Sequence, residues 1–341
     1  MKKTLRTVSL FVAIGLGLTL VQAQTNGPVN KSDPAMNKIA PGDAKVEKLA
    51  GGFGFLEGPV WVRSPGYLLF SDIPANAIYK WAPGGEVSVF LKPSGFTGSD
   101  ASDVGMALNT GSKVEYLIGS NAVTVDRQGR IVFCAHGDRQ VVRLEKNGKR
   151  TVLADRYEGK RLNSPNDLIY KSDGALYFTD PPAGLRQGDK DPRKESPFNG
   201  VYLLKDGKLQ AMYKELPLPN GIALSPDEKY LYVNDSVKRI IMRFDVNPDD
   251  TVANGKIFID MTADKAPGGP DGMKVDSAGN VYSTGPGGLW VISSDGKHIG
   301  TITAPESITN LAFGDADGKS LYLAARTGLY RIRLAVPGLR P

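Results

Sequence analysis

Chemistry in this 341-residue chain has to be carried mostly by oxygen. Cys134 is the only cysteine, and His136 and His298 are the only histidines. That excludes the usual Cys/His zinc sites, and the absence of a G-x-S-x-G elbow argues against a Ser-His-Asp hydrolase. What recurs instead is an acid or amide at the head of an apolar run: Glu57 (EGPVWV), Asn121 (NAVTVD), Asn166 (NDLIYK), Asn220 (NGIALS), Asp271 (DGMKVD) and Asn310 (NLAFGD). If these heads converge, two carboxylates meet at short range and need a cation or a proton between them. Glu57 and Asp271, with the carbonyl oxygens of Asn166 and Asn220, make an all-oxygen donor set with two formal negative charges. Such a set suits one hard divalent ion, Ca²⁺ first, with Mg²⁺, Mn²⁺ or Zn²⁺ as alternatives. Asn and Asp also begin strands simply because they cap backbone groups; Asn121 and Asn310 are read that way, as fillers of the ring or supports behind the donors.

Convergence depends on the elements that follow. Each head opens an alternating strand that reaches a hairpin turn, marked by Gly66, Gly129, Gly174, Gly279 or Gly318 in all but the fourth unit, and returns through a second strand (YLLFSD, RIVFCAH, ALYFTD, KYLYVND, NVYSTG, SLYLAA). Third strands follow at IYKW, VVRL, GVYLL, IIMRF, GLWVI and LYRIRL. Repeated antiparallel units of this kind predict an all-β, six-bladed β-propeller with four-stranded blades. The last unit ends soon after its third strand, so residues 46–50 (VEKLA) are expected to supply its outer strand and close the ring. In a propeller the first strand of each blade lines the central channel, which brings the six heads to one mouth. Second strands run back to that mouth and carry Asp72, His136, Asp180 and Asp235 there. The long connections 92–120, 155–165 and 181–198 fall on the same face, where binding residues concentrate.

The amino terminus sets the compartment. Lys2, Lys3 and Arg6 precede an apolar run from Val8 to Leu20, and Val21-Gln22-Ala23 has the small-x-small form of a cleavage site. Residues 1–23 therefore read as a secretory signal peptide, giving a periplasmic or secreted protein with no membrane insertion after cleavage. Losing those three basic residues takes the formal charge from +6 to +3, with both signs interleaved, which gives no case for nucleic acid. Residues 24–43 are polar and aperiodic and are expected to be a disordered lead-in to a propeller spanning 44–341. The aromatic residues of the strands are expected to pack between blades, and Cys134, alternating with apolar neighbours, to be a core residue.

Glu57-Gly58-Pro59, RLNSPND (161–167), LPNGIALSPD (218–227), NDS (234–236) and PDGM (270–273) together resemble the SMP-30/gluconolactonase/luciferin-regenerating enzyme family, from about residue 46 to the end. The resemblance implies a calcium-dependent propeller that hydrolyses sugar lactones. It places Glu57, Asn220 and Asp271 on the metal, with Asn166 as a ligand or a substrate-contacting amide. It also makes Asp271 the general base, for which Asp235 or Asp72 is the alternative. Arg161 and Asn163, on a long loop of the active face, and His136 at the mouth are candidates for binding the substrate. Two other functions fit the same residues: a metal-dependent phosphotriesterase-type hydrolase, and a non-catalytic ligand-binding propeller with a structural ion. The insertion 92–120 matches nothing in the family pattern and leaves the substrate open; the oligomeric state is unreadable.

Overall fold

The computed structural model describes residues 29–109 and 113–341, so the expected signal peptide lies outside the described residues. Six antiparallel sheets radiate from a common axis. Blade one comprises Leu56–Val62, Tyr67–Asp72, Ala77–Trp81 and Val87–Leu91, and blade two Val123–Val125, Ile131–Ala135, Gln140–Leu144 and Arg150–Ala154. Blade three runs through Leu168–Tyr170, Leu176–Asp180, Gly200–Lys205 and Lys208–Tyr213, and blade four through Pro219–Leu224, Tyr230–Asp235, Ile240–Val246 and Val252–Asp260. Blade five holds Met273–Val275, Val281–Gly285, Gly288–Ile292 and His298–Ile302; blade six holds Ile308–Gly314, Ser320–Ala325 and Gly328–Arg333. Glu47–Gly51 completes blade six, with Glu47 opposite Arg331 and Gly51 opposite Gly328, so the ring is closed by an amino-terminal strand as expected.

The turn glycines adopt the left-handed backbone a tight hairpin requires, φ running from 72° at Gly318 to 99° at Gly174. Blade four has no glycine at that turn, and Glu228 takes the position with φ 56°. Apolar cores form between blades rather than within them: one cluster joins Leu56, Trp61 and Phe70 to Tyr322 and Ala324 across blades one and six, and another joins Tyr177, Leu203 and Val233 across three and four. Trp61 and Tyr322 stack with ring centroids 5.4 Å apart. Cys134 is a buried member of the core between blades two and three.

The segment 24–43, expected to be disordered, is packed from Val29 onward. Val29–Lys31 adds a fifth strand to blade five by pairing with residues 300–302. A 3₁₀ turn over Pro34–Lys38 then follows, its first amides capped by Asp33, which accepts from Ala35 N at 2.8 Å. Met36, Ile39 and Ala40 are buried in the core shared by blades five and six. Three apolar anchors on one turn are enough to dock a segment whose composition is otherwise polar.

Candidate axial site

The innermost strands are stitched into a closed ring at the level of the six heads. Each accepts a hydrogen bond from the preceding blade: Leu56 O from Thr309 Oγ1 (2.6 Å), Asn121 O from Ser71 Oγ (2.7 Å), Asn166 O from Ala122 N (3.0 Å), Asn220 O from Thr179 Oγ1 (2.7 Å), Asp271 O from Gly221 N (2.9 Å) and Thr309 O from Gly272 N (2.8 Å). Such close approach explains the glycine that follows three of the heads. A Cβ on Gly58 would stand 2.1 Å from Ala122 Cα, and one on Gly221 would stand 2.3 Å from Asp271 O. The motifs EG, NG and DG are therefore a donor side chain followed by a point of backbone contact.

With the backbone spent on the ring, the side chains face the axis. Glu57, Asn121, Asn166, Asn220 and Asn310 are buried, and Asp271 is partly exposed. Asn310 Nδ2 donates to Glu57 Oε2 (2.9 Å), and its Oδ1 accepts from Leu311 N (2.8 Å), so Asn310 is satisfied and orients Glu57. Gly58 N gives Glu57 Oε2 a second donor at 2.9 Å. Asn220 donates from Nδ2 to Ser236 Oγ (3.1 Å). The side-chain amide oxygens (Oδ1) of Asn121, Asn166 and Asn220 are buried with no hydrogen-bond partner. Orphaned acceptors of this kind cost on the order of 1–3 kcal/mol each unless something fills the space between them.

Electrostatics point the same way. Burial pushes the Glu57 carboxyl up to about 7, against the pull of Asn310 and Gly58, with Asp167 adding to the rise. Burial raises Asp271 well above the carboxylate range, and the charge of Glu57 raises it further. Two carboxylates that resist ionising together, beside three unpaired amide oxygens, fit one oxygen-seeking divalent cation. Among the described residues no three His, Cys, Asp or Glu side chains group as metal ligands, so amide oxygens have to complete any such set.

The acids at the second-strand ends do different work. Asp72 accepts from Gly54 N (2.9 Å) and Phe55 N (3.1 Å); Asp180 accepts from Asn163 N (2.8 Å) and Ser164 N (2.7 Å). Asp235, expected as an alternative base, accepts from Leu218 N (2.7 Å), Val237 N (2.9 Å) and Lys238 N (2.6 Å). In all three blades the carboxylate clamps the chain entering the innermost strand, and Asp235 accepts three backbone amides in doing so. His136 occupies the corresponding place in blade two. It has no exposed surface, packs beneath Gly184 with Nδ1 3.3 Å from Pro165 O, and is held neutral by burial, which lowers its pKa to about 4. It supports the loop carrying Asn166 rather than opening to the mouth.

Asn163 is also fully buried, its Nδ2 donating to Asp180 O, Phe198 O and Asn199 Oδ1. Arg161 is half-buried, bonds to Asp138 O at 3.0 Å, and lines a recess on the active face with Arg139, Arg193, Phe96 and Leu185. The insertion 92–120 forms part of that recess. It carries a short hairpin, Ala107–Asn109 with Val114–Tyr116, and joins blade three through Gly105 N to Gly184 O (2.8 Å) and Met106 N to Ala183 O (2.9 Å). Arg186 holds it from the other side, its guanidinium 3.5 Å from the Tyr116 ring centroid and bonded to Ala101 O and Ser102 O. The sequence gives no sign of the contact Arg186 makes with the insertion, and the orphaned oxygen of Asn121 is visible only in the folded neighbourhood.

Residues 55–327 match the SMP-30/Gluconolactonase/LRE-like region. The chain is 35% identical over 323 residues to a gluconolactonase of Zymomonas mobilis subsp. mobilis, covering 92% of this chain and 88% of that protein. It is 27% identical over 280 residues to a pentonolactonase of Haloferax volcanii, covering 80% and 81%. Its fold superposes on a solved gluconolactonase of Xanthomonas campestris with a TM-score of 0.76 at 32% identity, covering 92% and 96% of the two chains. With the axial ring built from the motifs EGP, SPND, PNG and PDG, the chain belongs to the SMP-30/gluconolactonase/LRE-like family.

Proposed function

We propose that this protein is a carboxylic-ester hydrolase that opens sugar lactones at the axial ring, using one divalent ion held by Glu57, Asn166, Asn220 and Asp271. The observation that carries the reading is the set of unpartnered, buried amide oxygens beside two carboxylates on the axis. Asn121 offers one more oxygen to the same space. Similarity to proteins named gluconolactonase and pentonolactonase supports the substrate class. All-oxygen donors favour Ca²⁺ over softer metals. When bound, the ion supplies Lewis acidity to the lactone carbonyl and a counter-charge for its oxygen.

The chain's own residues do the rest. Asp271, partly exposed on the axis with Glu57, accepts a proton from a water whose oxygen attacks the carbonyl carbon. The ring C–O bond breaks, and that proton passes to the departing ring oxygen, leaving a hydroxy acid. Asn310 and the Gly58 amide keep Glu57 aimed at the axis while this happens. Arg161, which lines a recess with Arg139 and Arg193, binds the hydroxyl-bearing end of the substrate in this reading. A periplasmic or secreted location, read from residues 1–23, suits lactones formed outside the cytoplasm, and a mature chain beginning near Gln24 by mass spectrometry checks it.

The test is hydrolysis of D-glucono-1,5-lactone by the mature chain, stripped with chelator and refilled with Ca²⁺, Mg²⁺, Mn²⁺ or Zn²⁺. Activity lost on stripping and restored by one ion supports the reading. A metal-loaded protein inactive on aldonolactones overturns it.

A further inference from the structure

Immediately behind the axial ring lies a charged pair that the proposed reaction does not use. Asp167, the residue after Asn166, is 2% exposed, and its Oδ2 lies 3.6 Å from Lys274 Nζ on blade five. Both carboxylate oxygens are tied down, Oδ1 by Leu168 N (2.8 Å) and Oδ2 more loosely by Ile222 N (3.4 Å). Lys274 Nζ is anchored in turn on Met273 O at 2.9 Å. Asp167 directly follows Asn166 in the chain, and Asp167 and Lys274 line the same cavity as Gly58, the residue after Glu57. Beyond the pair, the channel continues as an apolar cavity walled by the inner strands and rimmed by Leu339, Arg340 and Pro341. No other Lys or Arg lines the channel between the ring and that rim among the described residues.

We propose that Lys274 sets the charge of the axial site, and thereby selects a divalent ion over a trivalent one. The inference rests on the metal reading above. Glu57, Asp271 and Asp167 carry three formal negative charges, and Lys274 reduces the total to two. A divalent cation then leaves the axis neutral. Without Lys274 the same cation faces three negative charges in a site screened from solvent, where a like-signed neighbour is felt strongly. Asp167 works in the opposite direction, and the pair cancels when both are removed.

The experiment is calorimetric titration of the stripped, mature chain with Ca²⁺ and, separately, Tb³⁺ for the wild type, Lys274→Met, Asp167→Asn and the double variant. Lys274→Met is expected to bind Ca²⁺ about tenfold more tightly and to gain more for Tb³⁺ than for Ca²⁺. Asp167→Asn is expected to lose about tenfold for Ca²⁺, and the double variant to return to within about threefold of the wild type. Thermal melting of each metal-free variant separates charge from misfolding, and the double variant keeps the test open if either single one unfolds. Unchanged or weaker Ca²⁺ binding by folded Lys274→Met, or a double variant as weak as Asp167→Asn, overturns the inference while leaving the metal site standing. A wild type that binds no divalent ion removes both together.

Discussion

Six side chains share the axis, and they differ in whether they have an oxygen to spare. Asn310 has none, because Leu311 N occupies its carbonyl, whereas Asn121, Asn166 and Asn220 each keep one. Removing the proposed base by Asp271→Asn should lower kcat for lactone hydrolysis by roughly 10²–10⁴-fold, measured on protein reloaded with metal; turnover near wild type would exclude that role. Asp235→Asn should do the reverse. It replaces an acceptor of three backbone amides, so it should cost about 1–3 kcal/mol in denaturant unfolding while leaving kcat of the folded fraction within a few-fold. Glu57 gives a pH prediction for the metal-free protein. Its folded pKa of about 7 lies above the ordinary 4.5, so the folded state holds the proton more tightly than the unfolded chain does. That stabilising contribution is complete below about pH 4.5 and is lost as pH rises through 7. The melting temperature of the stripped protein should therefore fall more between pH 5 and 8 than that of Glu57→Gln, and saturating Ca²⁺ should abolish the difference. The sequence made the donors legible through their common register. It made Asp235 look equally free, because residue type does not reveal which lone pairs the backbone has taken.

Among the elements, the inner strands and their turns were readable because period-two alternation and turn glycines leave a local imprint. Long connections leave none. The insertion 92–120 reads as a polar loop, yet it pairs with the 181–188 segment of blade three and is held by Arg186. Asn76, with φ 52°, begins that organisation by accepting from Ser94 N (3.0 Å), Gly95 N (2.7 Å) and Phe96 N (3.1 Å) through one side-chain oxygen. Arg186→Ala removes both the stacking on Tyr116 and the bonds to Ala101 and Ser102. The expected result is faster amide exchange across 101–106 and a severalfold higher KM for the lactone, with kcat changed less, since the axial ring is untouched. An unchanged KM together with accelerated exchange would show that the insertion does not shape the substrate site.

For the whole molecule, closure depends on chain ends meeting. Glu47–Gly51 completes blade six, and the carboxyl-terminal tail returns along blade five, where Leu339 N donates to Val275 O at 3.0 Å. The docked segment around Met36 adds apolar burial at the junction of blades five and six, next to that closure. Met36→Ala should cost about 2–5 kcal/mol in equilibrium unfolding, as other buried large-to-small changes do. Deleting residues 1–43 should lower the melting temperature below that of a chain beginning at residue 24, with lactone hydrolysis by the folded protein preserved because the ring lies elsewhere. Equal stability of the two chains would show that the docked segment contributes nothing.

Sequence alone determined the six-fold repeat, the strand that closes it, and the common register that brings Glu57, Asn166, Asn220 and Asp271 to the axis. Those features are written in local pattern, and a propeller converts common position within a repeat into common position in space. Tertiary structure decided everything that depends on which atoms face each other across blades: Asn121 with an oxygen unpartnered, Asn310 spent on Glu57, Asp235 accepting three backbone amides, His136 without exposed surface, and the 29–40 segment packed rather than loose. The physical reason is the same in each case. A hydrogen bond or a buried contact belongs to a pair of groups, and here the partner lies in another blade or a distant loop, where no local pattern records it.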